Sequence, residues 1–438
     1  MGLALRGVFW ILVYVAVGVA PLIFAVIGVA QPGRGFVTDL SVALGFVGLA
    51  MMGLQFFLVA RFQNVAAPYG MDALIQFHRQ ISYVALAFVL AHPVLLFVSD
   101  PSKLGLLYLP TAPWRARFAV GSVVALLLLV ATSVWRKRLR LRYEVWQLLH
   151  GVLAVVIVGL ALAHAAKVGY YMSRPWQRGL WIAMSVGLVG LLGWVRVIKP
   201  ILLYRRRWLV EKVVPERGAA WSLVLRPDGH PGLCFEPGQF AWLMIGRAPF
   251  ALTQHPFSIS SSAEQTDRIT FTIKARGDFT SSIAKIEPGT RAYVDGPHGI
   301  FSADRSEGPG YVLIGGGVGI TPLISILRTL ADREDPRPII LFYGSRDWEG
   351  ITFREEIDSL AGRLHLTVVH VLEKPHEGWT GERGFIDAAA MRRHLPARHR
   401  RLQYFICGPG PMMDAMERAL FAVGVPVERV HTERFDMV

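Results

Sequence analysis

The stretch "FHRQISYVALAFVLAHPVLLF" (residues 77–97) is oily enough to cross a bilayer, yet it holds two histidines, His78 and His92, fourteen positions apart. A second stretch, "LLHGVLAVVIVGLALAHAA" (148–166), repeats the arrangement with His150 and His164. On an α-helix fourteen residues turn through about 1400°, which leaves the two side chains about 40° apart on one face and about 21 Å apart along the axis. Two crossings separate the stretches, so they run in the same direction. His78 and His150 then share one depth near the cytosol, and His92 and His164 another near the far side. Two facing pairs at two depths are what two bis-histidine haems need, each iron held axially between helices. The simpler reading of an intramembrane histidine is a packing residue that bonds across the bundle. Equal spacing on two parallel spans, with no other histidine in the first 229 residues, favours haem. A di-metal site is disfavoured, because no carboxylate lies within a helical turn of any of the four.

The rest of the composition agrees with a chain of two characters. Of its 438 residues 53% are apolar, too many for an ordinary soluble protein, and the oil is confined to the first 200. Residues 1–204 hold 17 Lys+Arg against 4 Asp+Glu, whereas the remainder holds 29 against 28. The formal charge of +14 therefore belongs to the oily half, where it acts as a topology signal and excludes a nucleic-acid surface. Only Cys234 and Cys407 occur, so neither a disulfide framework nor a cysteine metal site is available, and a reducing cytosol suits the globular half. The first apolar run exceeds twenty residues, longer than a signal-peptide core, and is expected to be a retained span.

Six spans are predicted, near 8–30, 38–60, 76–98, 117–135, 146–166 and 179–198. Twelve basic residues fall on one side, among them Arg6, Arg61, the run "RKRLRLR" (136–142) and Arg205 to Arg207. Seven fall on the other, from Arg34 to Arg178. This bias predicts that both termini are cytosolic, in the inner or plasma membrane. After "KPILLYRRRW" (199–208), short alternating runs separated by Gly and Pro predict a small antiparallel barrel. From about 310, β-runs alternate with helical patterns, the signature of a parallel sheet.

Three loops of the globular half carry candidate chemistry. In "QHPFSISSS" (254–262), Pro256 stiffens an extended turn, Phe257 offers an aromatic face and Ser258 a hydroxyl; a plain hairpin loop has the same composition. "IKARGDFTSSI" (273–283) adds the cation Lys274, a glycine turn and the pair Thr280–Ser281 expected to open a helix, where backbone N–H groups suit a pyrophosphate. In "YVLIGGGVGITPLISILR" (311–328), a buried strand runs into Gly315, Gly316, Gly317 and Gly319, which let the backbone approach an anion. Thr321 is expected to cap the following helix and Pro322 to occupy its first turn. Strand, loop and helix together predict dinucleotide binding. The next strand ends in "FYGSRD" (342–347), without the acidic residue that would bond an unmodified ribose. Ser345 and Arg346 there suit a 2′-phosphate, favouring NADPH, unless Arg346 merely pairs with Asp347. "YFICGPGPMMDAM" (404–416) repeats the plan through Cys407, Gly408 and Pro409. Cys407 is either a small packed thiol or a neighbour of the nicotinamide, with no nearby cation to activate it.

Taken together, the histidine quartet, "HPFS", "GGGVGITP" and "CGPGPMM" resemble the NADPH oxidase and ferric-chelate reductase superfamily over nearly the whole chain. The resemblance implies a multidomain membrane protein: a six-helix haem domain (1–204), an antiparallel β-barrel flavin domain (205–305) and an α/β parallel-sheet NADPH-binding domain (306–438). It implies that Phe257 lies against FAD and Ser258 near flavin N5, with His255 in place of the arginine of soluble relatives. It assigns "GDFT" to the FAD pyrophosphate, and Phe435 in the final "HTERFDMV" to a shield that moves when nicotinamide docks. The implied relay takes hydride from NADPH onto FAD, then single electrons to the His78/His150 haem and on to the His92/His164 haem. Oxygen, giving superoxide, and ferric chelates are the implied acceptors; a quinone or a dedicated protein partner is the alternative. Dedicated superoxide producers add a histidine soon after the outer ligand of span three and an arginine in span two. This chain has neither.

Overall fold

A run of twenty apolar residues in lipid must satisfy its backbone polar groups internally, and the helix is the single-segment solution. The computed structural model describes residues 3–27, 34–246, 248–250 and 254–434. It divides into two units, parted between Lys199 and Pro200. Among the described residues, the first unit carries six helices long and apolar enough to cross a membrane. They are α1 (Leu3–Ile27), α2 (Phe36–Leu58), α3 (Met71–Ser99), α4 (Trp114–Val134), α5 (Tyr143–Val168) and α6 (Pro175–Gly193). On α6, Ile182, Val186 and Val189 point outward at 62–68% exposure, an apolar stripe suited to lipid.

Helices α2 to α6 meet in one apolar core that includes Leu49, Met52, Ala85, Leu126, Ile157 and Trp181. Ala85 lies seven residues from both His78 and His92, and Ile157 seven from both His150 and His164. Seven residues are two helical turns, so each sits on its histidines' face, halfway between them. Both are 2% exposed. The two histidine levels are therefore divided by a dry layer, into which Ser122 sends one hydroxyl, donating to the Ile157 carbonyl at 3.0 Å.

Among the described residues the second unit holds two sheets. In the first, β1 (Trp208–Glu216), β2 (Ala220–Pro227), β3 (Phe240–Ile245), β4 (His255–Ser258), β5 (Ile269–Lys274) and β6 (Arg291–His298) pair antiparallel in the order β4-β3-β6-β1-β2-β5. A bridge between Ile259 and Phe271 brings the two edge strands together, curling the sheet into a half-barrel. Alternate residues fill it, as in Leu223 and Leu225 of β2 and Ile269, Phe271 and Ile273 of β5.

The second sheet is all parallel: β7 (Tyr311–Gly316), β8 (Ile339–Ser345), β9 (Leu366–Leu372), β10 (Glu382–Arg383), β11 (Gln403–Cys407) and β12 (Val430–Glu433), in the order β10-β9-β8-β7-β11-β12. Every residue of β7 is buried, because α7 (Ile320–Asp332) covers one face and α8 (Gly410–Ala422) the other. The chain order reverses between β7 and β11, and a crevice at such a switch point takes ligands at the strands' carboxyl ends. The segment after β4 is tied to α7: Ser325 donates to the Ser261 carbonyl at 2.7 Å, Arg328 to that of Ser260 at 2.6 Å, and Ala263 N to Thr329 Oγ1 at 2.9 Å.

Candidate functional site

The four histidines meet as their spacing requires. The rings of His78 and His150 stand 6.4 Å apart between centres, and those of His92 and His164 6.3 Å apart. A metal between two imidazoles spans two bonds of about 2.0 Å plus the depth of each ring, about 6 Å in all. Three Nδ1 atoms are already committed. That of His92 donates to the Ser41 carbonyl at 2.9 Å and lies 3.0 Å from the Ser41 hydroxyl, which itself donates to the His92 carbonyl. That of His164 meets the Arg115 carbonyl at 2.8 Å, and that of His150 the Ser133 hydroxyl at 3.2 Å. A hydrogen bond at Nδ1 sets the tautomer that leaves Nε2 for a metal. Gly45 gives the His92 ring its room, since a Cβ there would lie 3.1 Å from Cγ of the ring. These residues suit axial haem ligation, and among the described residues no cluster of His, Cys, Asp and Glu offers a competing metal site.

On the half-barrel, His255 and Phe257 of β4 join Phe279 in an aromatic platform. His255 stacks on Phe279 at 3.9 Å and 20°, and Phe257 lies nearly parallel to the same ring at 6.1 Å. Pro256 faces Trp242 across the β3–β4 pair. The Ser258 hydroxyl is buried with no partner, which suits a flavin atom as its partner. The expected opening of a helix at Thr280 is corrected: the helix begins at Asp278 and lasts five residues. The Thr280 hydroxyl is spent on its own turn, accepting from the Arg276 and Gly277 amides at 2.9 Å each. Lys274 and Ser281 are exposed beside it.

At the switch point the two glycine loops interlock. A Cβ on Gly319 would lie 2.3 Å from the Cys407 carbonyl oxygen, and one on Gly316 equally close to Met412 Sδ. Gly317 turns with a φ of 54°, and Gly315 tolerates only a tight contact with Leu323. Thr321 is not the cap. Gly319 is the N-cap of α7, and the Thr321 hydroxyl, already in the first turn beside Pro322, donates back to the Val318 carbonyl at 2.7 Å. Ser345 ends β8 next to the β7 loop, and Arg346 is exposed. Arg346 makes no pair with Asp347, whose carboxylate instead accepts from the Gly350 amide at 2.8 Å. Cys407, followed by Gly408 and Pro409 at the start of α8, is wholly buried. Burial and the neighbouring Glu433 carboxylate push its thiol well up, which removes it as a thiolate nucleophile. Phe435 lies outside the described residues.

Several residues escaped sequence reading. Ser41, Ser133 and the Arg115 carbonyl orient imidazoles from other helices; a rare hydroxyl in an oily span was the available signal for the two serines. Phe279 returns to the "HPF" aromatics through a turn. Glu433 pairs with Cys407 across β11–β12 and is buried, an unusual place for a carboxylate.

Residues 44–161 match the ferric reductase like transmembrane component, 224–299 an FAD-binding domain and 313–418 an oxidoreductase NAD-binding domain. Ferredoxin–NADP reductase B of Sorangium cellulosum is 30% identical over 224 residues, which are 48% of this chain and 89% of that protein. The ferredoxin reductase component of 3-ketosteroid-9-alpha-monooxygenase from Rhodococcus rhodochrous is 32% identical over 234 residues. That match takes in 52% of this chain and 64% of the relative's length. A solved ferredoxin reductase in carbazole 1,9a-dioxygenase superposes with a TM-score of 0.47 at 28% identity, over 52% of this chain and 69% of that one. The chain is a ferric reductase/NADPH oxidase-like fusion, a ferric reductase-like transmembrane component joined to a ferredoxin–NADP reductase-like FAD and NAD module.

Proposed function

We propose that the chain carries electrons from cytosolic NADPH through FAD and two bis-histidine haems to an acceptor beyond the inner or plasma membrane. The observation that carries this reading is the matched pair of imidazole gaps, with Nδ1 engaged on three of the four rings. When bound, FAD takes two electrons as hydride and yields them singly, and each haem passes one at a time. The reading assigns residues 1–204 to haem, 205–305 to FAD and 306–438 to NADPH. His78 and His150 would hold the cytosol-side haem, and His92 and His164 the far-side one. His255, Phe257 and Ser258 would orient the flavin ring, with Pro256 fixing the strand that bears them, and Lys274, Thr280 and Ser281 would flank its pyrophosphate. Gly315, Gly316, Gly317, Gly319, Thr321 and Pro322 would receive the NADPH pyrophosphate. Ser345 and the unpaired Arg346 would take its 2′-phosphate. Cys407, Gly408 and Pro409 would border the nicotinamide, with Phe435 shielding the flavin.

The dry layer of Ala85 and Ile157 keeps water from bridging the two haem levels. An inside-negative membrane favours outward electrons by about 2.3 kcal/mol per charge per 100 mV. α2 holds no arginine and no histidine follows His92 in α3, so the two residues that the resemblance links to dedicated superoxide production are missing, which favours ferric chelates and oxygen as alternative acceptors of one accessible site.

The test is the purified chain. Its Soret band and haem content should give two haems per chain, and a colourless preparation from haem-replete cells would end the reading. Rapid Fe(III)-citrate reduction under nitrogen identifies a ferric reductase, and oxygen uptake altered by superoxide dismutase an oxidase. Silence with every small acceptor supports a second reading, delivery to a protein or quinone partner, which the relative named as a reductase component favours.

A further inference from the structure

Among the described residues of the membrane half, three side chains hold buried polar atoms without a hydrogen-bond partner: the Tyr14 hydroxyl, both amide atoms of Gln55, and Nδ1 of His78. They come from α1, α2 and α3, and the packing of those helices brings them to one level. Between α1 and α2, Trp10 lies against Phe57 and Gly18 faces Leu54, so Tyr14, midway, comes to the level of Gln55. Tyr14 also sets its ring edgewise on Phe77, the residue before His78, at 5.3 Å. Between α2 and α3 the helices run antiparallel, with Gly45 against His92 and Gly48 against Val89. Carried on at the same step, this register takes Gln55 to Ser82, one turn from His78.

The outer pair shows what such a position is for. Ser41 of α2 holds Nδ1 of His92, and Gln55 follows Ser41 by fourteen residues, the same interval that separates the two histidines of α3. Gln55 therefore stands toward the inner level much as Ser41 stands toward the outer one. Ser41 meets its histidine with both carbonyl and hydroxyl, whereas Nδ1 of His78 has no such contact, which leaves the longer side chain of Gln55 to reach it.

We propose that Gln55 is the positioning residue of His78 when the inner haem is seated: Gln55 Oε1 accepts the Nδ1–H of His78, and Gln55 Nε2–H donates to the Tyr14 hydroxyl. This rests on the bis-histidine reading above. The arrangement satisfies all three orphaned residues through rotation of one flexible side chain, and it completes the set, since His92, His150 and His164 already have Nδ1 partners. A hydrogen bond accepted from Nδ1–H makes the ring a stronger donor to ferric iron and lowers the haem's potential. The competing account is a Tyr14–Gln55 bond that merely glues α1 to α2, and such a bond leaves haem potentials alone.

The experiment is an equilibrium redox titration of the full chain in detergent, followed in the haem α-band, with haem content measured in parallel. Gln55→Leu should keep two haems and raise one of the two one-electron steps by roughly tenfold in its equilibrium constant, about 59 mV, leaving the other unmoved. Gln55→Glu, which still accepts the bond, should hold that step at or below its wild-type position. His78→Ala, by deleting one step, shows which belongs to the inner site, and the step moved by Gln55→Leu must be that one. Two unchanged steps in Gln55→Leu overturn the proposal while leaving the bis-histidine reading intact. A wild-type chain without haem overturns both. If Gln55→Leu yields no folded protein, Tyr14→Phe carries the test: a smaller rise in the same step supports the proposal, and no change overturns it.

Discussion

In the membrane half, His92 matters for the atoms it has: a ring held by Ser41, in a space that Gly45 leaves open. In the other half, Gly316 and Gly319 matter for the atoms they lack, because any Cβ would drive the two nucleotide loops apart. The difference follows from the solvent. Inside a bilayer the helix consumes its own amides, so recognition falls to rare polar side chains and to carbonyls that accept a second bond, as those of Ser41 and Arg115 do. At a sheet's switch point the backbone amides are free to meet a phosphate, and side chains must stay out of the way. Deleting a side chain should therefore be most damaging in the first half, and adding one in the second.

The sharpest attempt to break this contrast is His92→Ala. It should remove one of two haems and abolish electron transfer to external acceptors, while reduction of the flavin by NADPH in stopped flow continues at the wild-type rate. Loss of flavin reduction as well would show that the halves are not chemically separable. Next comes Arg346→Ala, a deletion in the second half and so a direct challenge to the rule. Losing a charge-assisted bond of about 1.5–3 kcal/mol should raise the KM for NADPH roughly 10- to 100-fold and leave that for NADH unchanged. An equal effect on both nucleotides would remove Arg346 from the 2′-phosphate site. The converse change, Gly319→Ala, adds one methyl against the Cys407 carbonyl and should destabilise the nucleotide-binding sheet by about 1–3 kcal/mol, read as a lower urea midpoint for flavin release. An unaltered midpoint would mean that the loops part without cost.

The smallest effect concerns Glu216, whose carboxyl burial raises above the usual range despite the hydrogen bond from Ser222 and the charge of Arg328. The folded chain then holds this proton more tightly than the unfolded one, so stability falls as pH rises from about 4.3 through the raised value, and levels off above it. Glu216→Gln should flatten that slope in the same urea assay, and a slope identical to wild type would exclude Glu216 as its source. The two thiols give a simple control on burial: with a maleimide the native chain should label once, at exposed Cys234, and twice after denaturation.

How much of this could be read in advance depends on the range of the interaction. The six spans, the half-barrel and the parallel sheet follow from local pattern: uninterrupted apolar runs, alternation, and strands that end in glycine. The histidine pairing was legible as well, because fourteen residues on a helix set both face and depth, and two parallel spans then present matching faces. Glycine positions announced the nucleotide loops, although the cap of α7 went to Gly319 and not to Thr321, since a hydroxyl one turn too late bonds backward to Val318.

What tertiary structure alone decided lies between elements distant in sequence. No local pattern states that Ser41 reaches His92 or that the Arg115 carbonyl meets His164, because each contact depends on how one helix rests on another. The same holds for Ala85 and Ile157, ordinary apolar residues until packing makes them the layer between two levels. Glu433 comes beside Cys407 only because β12 joins the far side of the switch point. Periodicity specifies what one element presents; which partner it meets is settled by steric fit and by the need to satisfy buried polar atoms, and those are properties of the assembled fold.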